Sequence, residues 1–278
     1  MPAGTIPLPD PAEVGGILRE VAAAVIVPRF RNLLAGDIAQ KRSPRDLVTI
    51  ADIEAERALE ERLAPLVPGA AFVGEEAAEH RPEVLAALGT RAPVWLLDPV
   101  DGTGNFVAGK ACVAVIVGYG CDGETLAGFI LDPLGGTLLW AVAGQGAWLE
   151  TASGRSPVAV SHDRSLAAMT GSLAWRSAER LRAMAAERGA APPAVASRYG
   201  SVGREYMDLA TGALDFACYA RLKPWDHAAG VLIHREAGGY AALRCNGAPY
   251  RLAPHIVEET LLLAPDAATW QLLDRLLG

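Results

Sequence analysis

The chain has 278 residues, 51% of them apolar, and a formal net charge of −7. That length buries one large core or two modest ones, and the composition excludes a disordered or fibrous chain. No run of Lys or Arg exceeds two residues, which argues against a nucleic-acid surface, and an acidic protein that handles an anionic substrate ordinarily recruits positive charge as metal.

In chain order, Asp10-Pro11-Ala12-Glu13 is a helix start, with Ile17, Leu18, Val21 and Val25 recurring at helical spacing behind it. A polar-flanked link, 46–52, leads to a second helix expected after Asp52 and ending at Pro65. Beyond Pro68-Gly69 the texture turns to β. AAFVGEE reads as a short strand ending in acids, and VWLLDPVDGTGNF as an apolar strand running into a polar turn. Four further strands, ACVAVIVGYG, TLAGFILDP, GTLLWAVAG and GAWLE, with Gly-rich turns between them, predict a meander. TASGRSP interrupts the pattern and places a soft boundary near 151–160. After it come a helix over 178–188, a helix in VGREYMDLATG, a strand in DFACYA, a helix in WDHAAGVLIHREAGG and a last helix near 267–277. The sum is a mixed α/β chain of stacked sheets and helices. An N-terminal half, 1–155, and a C-terminal half, 156–278, are expected to form one compact catalytic unit.

The opening residues lack a charged region followed by an apolar stretch, and the longest apolar run is far short of a membrane span. Four cysteines at 112, 121, 218 and 245 show no CxxC spacing and read as buried free thiols. Together these point to a soluble, cytoplasmic protein. Gly118–Gly123 matches GxGxxG, but the strand-like TLAGFIL follows where a dinucleotide fold needs a helix, so a hairpin turn is expected there.

The residues with chemistry sit at element ends. Asp98-Pro99-Val100-Asp101-Gly102-Thr103 follows an apolar strand, so two carboxylates and the Val100 carbonyl can converge on one hard cation such as magnesium. The amides of Gly102 and Thr103 would face a phosphate at the start of a short helix. Taken alone, the motif is also compatible with a tight turn carrying solvated acids. Gly74-Glu75-Glu76 also ends a strand, and such paired acids alone are common on surfaces. Asp226 in Trp225-Asp226-His227 is placed to cap the helix that follows, and can turn its other oxygen to a metal. The conjunction is what carries weight: Glu75, Asp98, Asp101 and Asp226 brought together would repel unless cations bridge them.

Four stretches resemble the inositol monophosphatase family of metal-dependent sugar phosphatases: KRSPRDLVTIAD at 41–52, GEE at 74–76, DPVDGTGNF at 98–106 and WDHAAGVLIHREAGG at 225–239. The resemblance covers most of the chain, and the last two stretches in this order are highly specific together. It implies a layered αβαβα fold of the sugar-phosphatase type, a homodimer, and two or three Mg2+ ions with lithium sensitivity. It implies that Glu75, Asp98, the Val100 carbonyl and Asp101 hold a first ion, and that Asp98, Asp101 and Asp226 hold a second. Glu75 and Thr103 would orient the attacking water with Asp52 behind them. Lys41 is either an outer-shell group or a solvated lysine.

The substrate side departs from that pattern. Inositol-hydrolysing members carry a glutamate seven residues before the aspartate of the WD motif, and here that position is Tyr219. Gly203 is followed by Arg204 and Glu205 where small residues are usual, and 108–112 (AGKAC) replaces a stretch usually richer in aromatics and Pro. An inward Arg204 would grip a second anionic group, whereas an inward Glu205 would restore the missing carboxylate. The alternative is that both form surface ion pairs. The substrate-contact set is therefore Gly102, Thr103, Gly203, Arg204, Glu205, Tyr219 and Asp226, with His227 expected on the helix surface. The expected activity is hydrolysis of a small polyol or sugar-like monophosphate, inositol 1-phosphate first. Histidinol phosphate (relatives with the LKPWD segment include such enzymes) and a 3′-phosphonucleotide or NADP are the alternatives. A scaffolding role in a transcription complex is the non-enzymatic one.

Overall fold

The computed structural model describes residues 6–41 and 47–278. The first five residues and 42–46, which belong to the N-terminal reading and to the first family-like stretch, lie outside the described residues.

Helix α1 (Pro11–Val21) starts as expected, its Asp10 cap accepting the Ala12 N–H at 2.9 Å. A short ladder, β1 (Ile38–Gln40) with β2 (Leu47–Thr49), precedes α2 (Ile50–Leu63). This helix begins three residues earlier than expected. Thr49 caps it, and Asp52 sits in its first turn, accepting the Thr49 N–H at 2.8 Å. Then come β3 (Ala71–Gly74), α3 (Glu75–His80), β4 (Val94–Asp101), α4 (Thr103–Val107), β5 (Ala114–Cys121), β6 (Glu124–Leu131), β7 (Leu138–Val142), β8 (Ala147–Thr151) and β9 (Gly154–Val158). Strands β3 to β9 form one seven-stranded sheet in chain order, antiparallel except for β3 beside β4. The meander is thus longer than its sequence suggested. TASGRSP is the turn and much of a final hairpin, and a division at 155/156 falls inside β9.

The second half contributes β10 (Thr170–Ser172), α5 (Trp175–Glu187), β11 (Ala194–Ala196), α6 (Val202–Thr211), β12 (Phe216–Leu222), α7 (Pro224–Glu236), β13 (Tyr240–Leu243), β14 (Val257–Ala264) and α8 (Ala267–Leu277). Its sheet has the order β11-β10-β12-β14-β13.

The layers follow from period-two alternation on strands buried on both faces. Trp95 and Leu97 of β4, Val115 and Val117 of β5, and Phe129 of β6 pack against α1 and α2. Their alternates Leu96, Ile116 and Ile130 face α6 and α7, whose other side packs on the second sheet through Tyr219 and Leu263. Beyond that sheet, α5 and α8 close a third core around Leu181, Phe216 and Leu273. The result is the expected αβαβα stack, and its middle core draws on both halves of the chain.

The GxGxxG match is a hairpin: Asp122 and Gly123 both take positive φ, at 52° and 79°, between β5 and β6. The four cysteines are free, Cys121 and Cys218 buried but Cys245 exposed, against the expectation that all are buried. Among the described residues no helix is long and apolar enough to cross a membrane.

Candidate metal and active site

Four element ends meet at one cleft of about 320 Å³, lined among others by Glu75, Asp98, Asp101, Thr103, Lys223 and Asp226. Asp98 and Asp101 end β4, where the register with β5 slips between them, so the two side chains leave the ladder. Gly102 then takes φ +90° and caps α4. A side chain there would meet the Gly200 carbonyl and Ser201 as well as straining the backbone, so the β4–α4 turn closes directly onto the start of α6. Glu75 opens α3. Asp226 is in the first turn of α7 and does not cap it; Lys223 holds the cap position, with Pro224 next.

One carboxylate oxygen from each of Glu75, Asp98 and Asp226 lies within 4.8 Å of the other two. Such an all-oxygen anionic set fits a hard divalent cation. Electrostatics carry the same message. Burial, then the neighbouring charge of Glu75, raises the Asp98 carboxyl well above its ordinary value, and burial pushes Asp226 up to about 7 despite Lys223. Asp98 and Asp226 also share a hydrogen bond. Glu75 goes the other way. Burial opposes its charge, but Lys223 and Lys41, whose Nζ atoms stand 3.1 and 3.3 Å from Oε1, lower it below the usual carboxylate range.

Asp101 lines the cleft but stands outside that trio. Its oxygens accept the Val202 N–H at 3.1 Å, the Gly203 N–H at 2.8 Å and the Ser201 hydroxyl, so it sits as an anion on the N-terminus of α6. The Val100 carbonyl accepts the Thr103 hydroxyl at 3.1 Å, and the same hydroxyl is 3.0 Å from Asp52 Oδ1. Burial pushes Asp52 up to about 6.

An adjoining compartment of about 310 Å³ shares Asp101, Gly200 and Asp226 with the cleft. Glu205 and Tyr219 line it, and Gly203 lies beside it against Asp101. Glu205 faces inward: Oε2 accepts the Tyr219 hydroxyl at 2.8 Å and Arg198 at 2.8 Å, and Oε1 accepts the Tyr199 N–H at 3.0 Å. Arg204 is turned onto Asp132 at 2.6 Å and does not reach the compartment as one reading of the sequence had it. His227 is not a surface residue. It is buried, lines the compartment with its Nδ1 3.1 Å from the Tyr206 hydroxyl, and burial lowers it to about 3, so it is neutral. Lys41 is not a solvated lysine either, since its ammonium is buried between Glu75 and Glu76.

Several supporting residues escaped the sequence reading. Glu56 of α2 accepts the N–H groups of Glu76 and Ala77 at 2.9 and 2.8 Å and so fixes the turn that presents Glu75. Its carboxylate fills the space a side chain at position 74 would need, which is why a glycine precedes the paired acids. Asn105 donates its amide to the Cys112 and Tyr199 carbonyls at 2.9 and 2.7 Å, tying α4 to the entry of α6. Lys223 lies in the LKPWD segment, so its closeness to Asp226 was a usable signal; Glu56 had none, as it reads like any acid on a charged helix.

Known proteins agree with this architecture. The chain is 35% identical to an inositol-1-monophosphatase of Mycobacterium leprae over 218 residues, 77% of this chain and 74% of that one. It is 30% identical to the Nus factor SuhB of Salmonella typhimurium over 237 residues, 85% of this chain and 86% of that one. The solved structure of the Thermotoga maritima IMPase superposes with a TM-score of 0.75 at 22% identity, covering 95% of this chain and 94% of that one. The model of the inositol monophosphatase family matches residues 14–277, and with the αβαβα stack and the acid cluster in place, the chain belongs to that family.

Proposed function

We propose that this protein is a phosphatase that hydrolyses a small phosphate monoester with the help of two or three Mg2+ ions. The observation that carries the reading is the convergence of Glu75, Asp98 and Asp226 within 4.8 Å in a family member. In this reading those three, the Val100 carbonyl and Asp101 hold the ions, most of them from the first 155 residues, and the rest of the chain completes the site. Divalent ions held there neutralise the phosphate and acidify an attacking water. The chain's own groups do the positioning. The Gly102 and Thr103 amides at the start of α4 receive phosphate oxygens, and Glu75 and Thr103 orient the water. The Thr103 hydroxyl takes up the proton released by the attacking water as it passes its own to Asp52 Oδ1, 3.0 Å away and titrating near neutrality at about 6. Gly203, Glu205, Tyr219 and Asp226 bound the space for the leaving alcohol.

The test is phosphate release from a panel of inositol 1-phosphate, histidinol phosphate, a 3′-phosphonucleotide and NADP, with and without magnesium. Release from at least one of these esters is the expected result, with inositol 1-phosphate, for which several relatives are named, as the reference ester. Turnover that survives EDTA, or that survives Asp101→Asn, would refute the reading. Cytoplasmic residence and a homodimer, the family's usual state, go with it, and light scattering on the purified protein checks the latter. The similarity to a relative named Nus factor supports a second role in a transcription complex. Pull-down of RNA polymerase by an inactive Asp98→Asn variant would favour it.

A further inference from the structure

From the geometry we infer that the leaving-group compartment is built for an alcohol that carries a second anionic group, a phosphate or a carboxylate, gripped by the Arg221 guanidinium. The inference rests on the phosphatase reading and names its substrate class. Arg221 and Asp226 both line the compartment. The arginine sits where β12 loses register with β14: Ala220 faces Thr260 but Leu222 faces Val257, a slip of one residue. There Arg221 takes φ +58°, a left-handed conformation that a residue with a side chain adopts only under strain. Bulges of this kind re-aim a side chain, and this one sets an arginine at the edge of the compartment, beside Glu258 of β14.

The charges around it decide what it can bind. Glu205 is the carboxylate that would otherwise receive sugar hydroxyls, but it is occupied by Arg198, the Tyr199 amide and the Tyr219 hydroxyl. Arg198 is equally committed: it donates to Glu205 and to the Cys218 carbonyl, and lies 4.7 Å over the Tyr219 ring. Lys223 is held by Glu75. Arg221 has a looser partner, Glu258 at 3.6 Å, with both side chains more than half exposed. An exposed pair of that geometry contributes little and yields readily. A planar guanidinium that can leave such a partner suits a phosphate or carboxylate, which it can meet with two parallel hydrogen bonds. Asp101 and Asp226 line the compartment too, but both belong to the proposed ion site, where bound Mg2+ would offset their charge, and Arg198 balances that of Glu205.

Two matched pairs of esters test this with magnesium present: glucitol 6-phosphate against 6-phosphogluconate for a carboxylate, and glucose 1-phosphate against glucose 1,6-bisphosphate for a phosphate. The wild type should favour the anionic member of at least one pair by about tenfold or more in kcat/KM. Arg221→Asn, chosen because asparagine tolerates positive φ, should cut that ratio about tenfold, mainly through KM. Glu258→Gln should raise it. A preference for the neutral member in both pairs, or an Arg221→Asn variant whose two kcat/KM values fall together, would overturn the inference while leaving the phosphatase reading intact. No turnover of any of the four esters would overturn the inference alone if inositol 1-phosphate is still hydrolysed, and would count against the phosphatase reading as well if it is not.

Discussion

Asp98→Asn should stabilise the metal-free protein while destroying its activity. Asp98 is buried, and its carboxylate lies within 4.8 Å of carboxylate oxygens of both Glu75 and Asp226. At an effective dielectric of 20, each such pair of full charges repels by about 3.5 kcal/mol. The hydrogen bond between Asp98 and Asp226 requires one of them to hold a proton, and holding it near neutral pH, well above the ordinary carboxylate value, costs about 2 kcal/mol or more, a cost a neutral asparagine does not carry. The amide introduced by the substitution keeps an acceptor for the Val100 N–H, now 3.2 Å from Oδ1, and gains a donor for Asp226. In EDTA the variant should therefore melt higher than wild type by roughly 4–8 °C. In magnesium the order should narrow or reverse. A single site at 100 times its dissociation constant adds about 2.7 kcal/mol to the wild type and little to the variant. Phosphate release should fall to background throughout. A variant that melts at or below wild type in EDTA would refute the argument that the unbridged acids strain the fold.

Glu56→Ala should strip the acceptors from the Glu76 and Ala77 amides and cost about 2 kcal/mol. Denaturant melts read that loss, and kcat should fall as Glu75 loses its fixed turn. His234, buried with its Nε2 2.9 Å from the Ala264 carbonyl, has its pKa lowered by burial from 6.5 to about 4. A folded-state value below the unfolded one means the unfolded chain takes up the proton first. Stability is then fully present above about 6.5 and falls by roughly 3 kcal/mol as pH drops toward 4. His234→Gln, which keeps a donor for the carbonyl, should flatten the stability curve over that window. Thr103→Val should lower kcat by about 10²-fold or more with a smaller change in KM, since it removes the hydroxyl that links the Val100 carbonyl to Asp52. Lithium in the tens of millimolar (roughly, as a competitor for a weak magnesium site) should inhibit phosphate release, and undiminished turnover would argue against such a site.

The part of this molecule legible in its sequence is the part that repeats or ends abruptly. Continuous apolar runs punctuated by Gly-rich turns announced β4 through β8, and acids stranded at element ends announced the cleft. Edges were harder to read. The exposed hairpin strand β9 lacks apolar alternation, and β10, β11 and β13 are three or four residues long, too short to show a period. Arg204 and Glu205 illustrate a signal that was present and unused. On a helix Glu205 shares a face with Val202 and Leu209, the face that packs inward, whereas Arg204 is turned about 100° from it. That spacing alone separates the residue facing the compartment from the one paired with Asp132. Lys41 was already an outer-shell candidate, but the contact of Lys223 with Glu75 could not be read, because it joins positions 148 residues apart through the stacking of separate elements.

The Asn105 amide has a consequence for how ligands arrive. By bonding Cys112 on one side and Tyr199 on the other, it clasps the two stretches that would have to part if the molecule opened like jaws. A continuous core behind it resists the same movement. Among the described residues, then, the two walls that Asn105 joins stand at a fixed spacing, so a guest that suits the cleft must match a width set before it arrives.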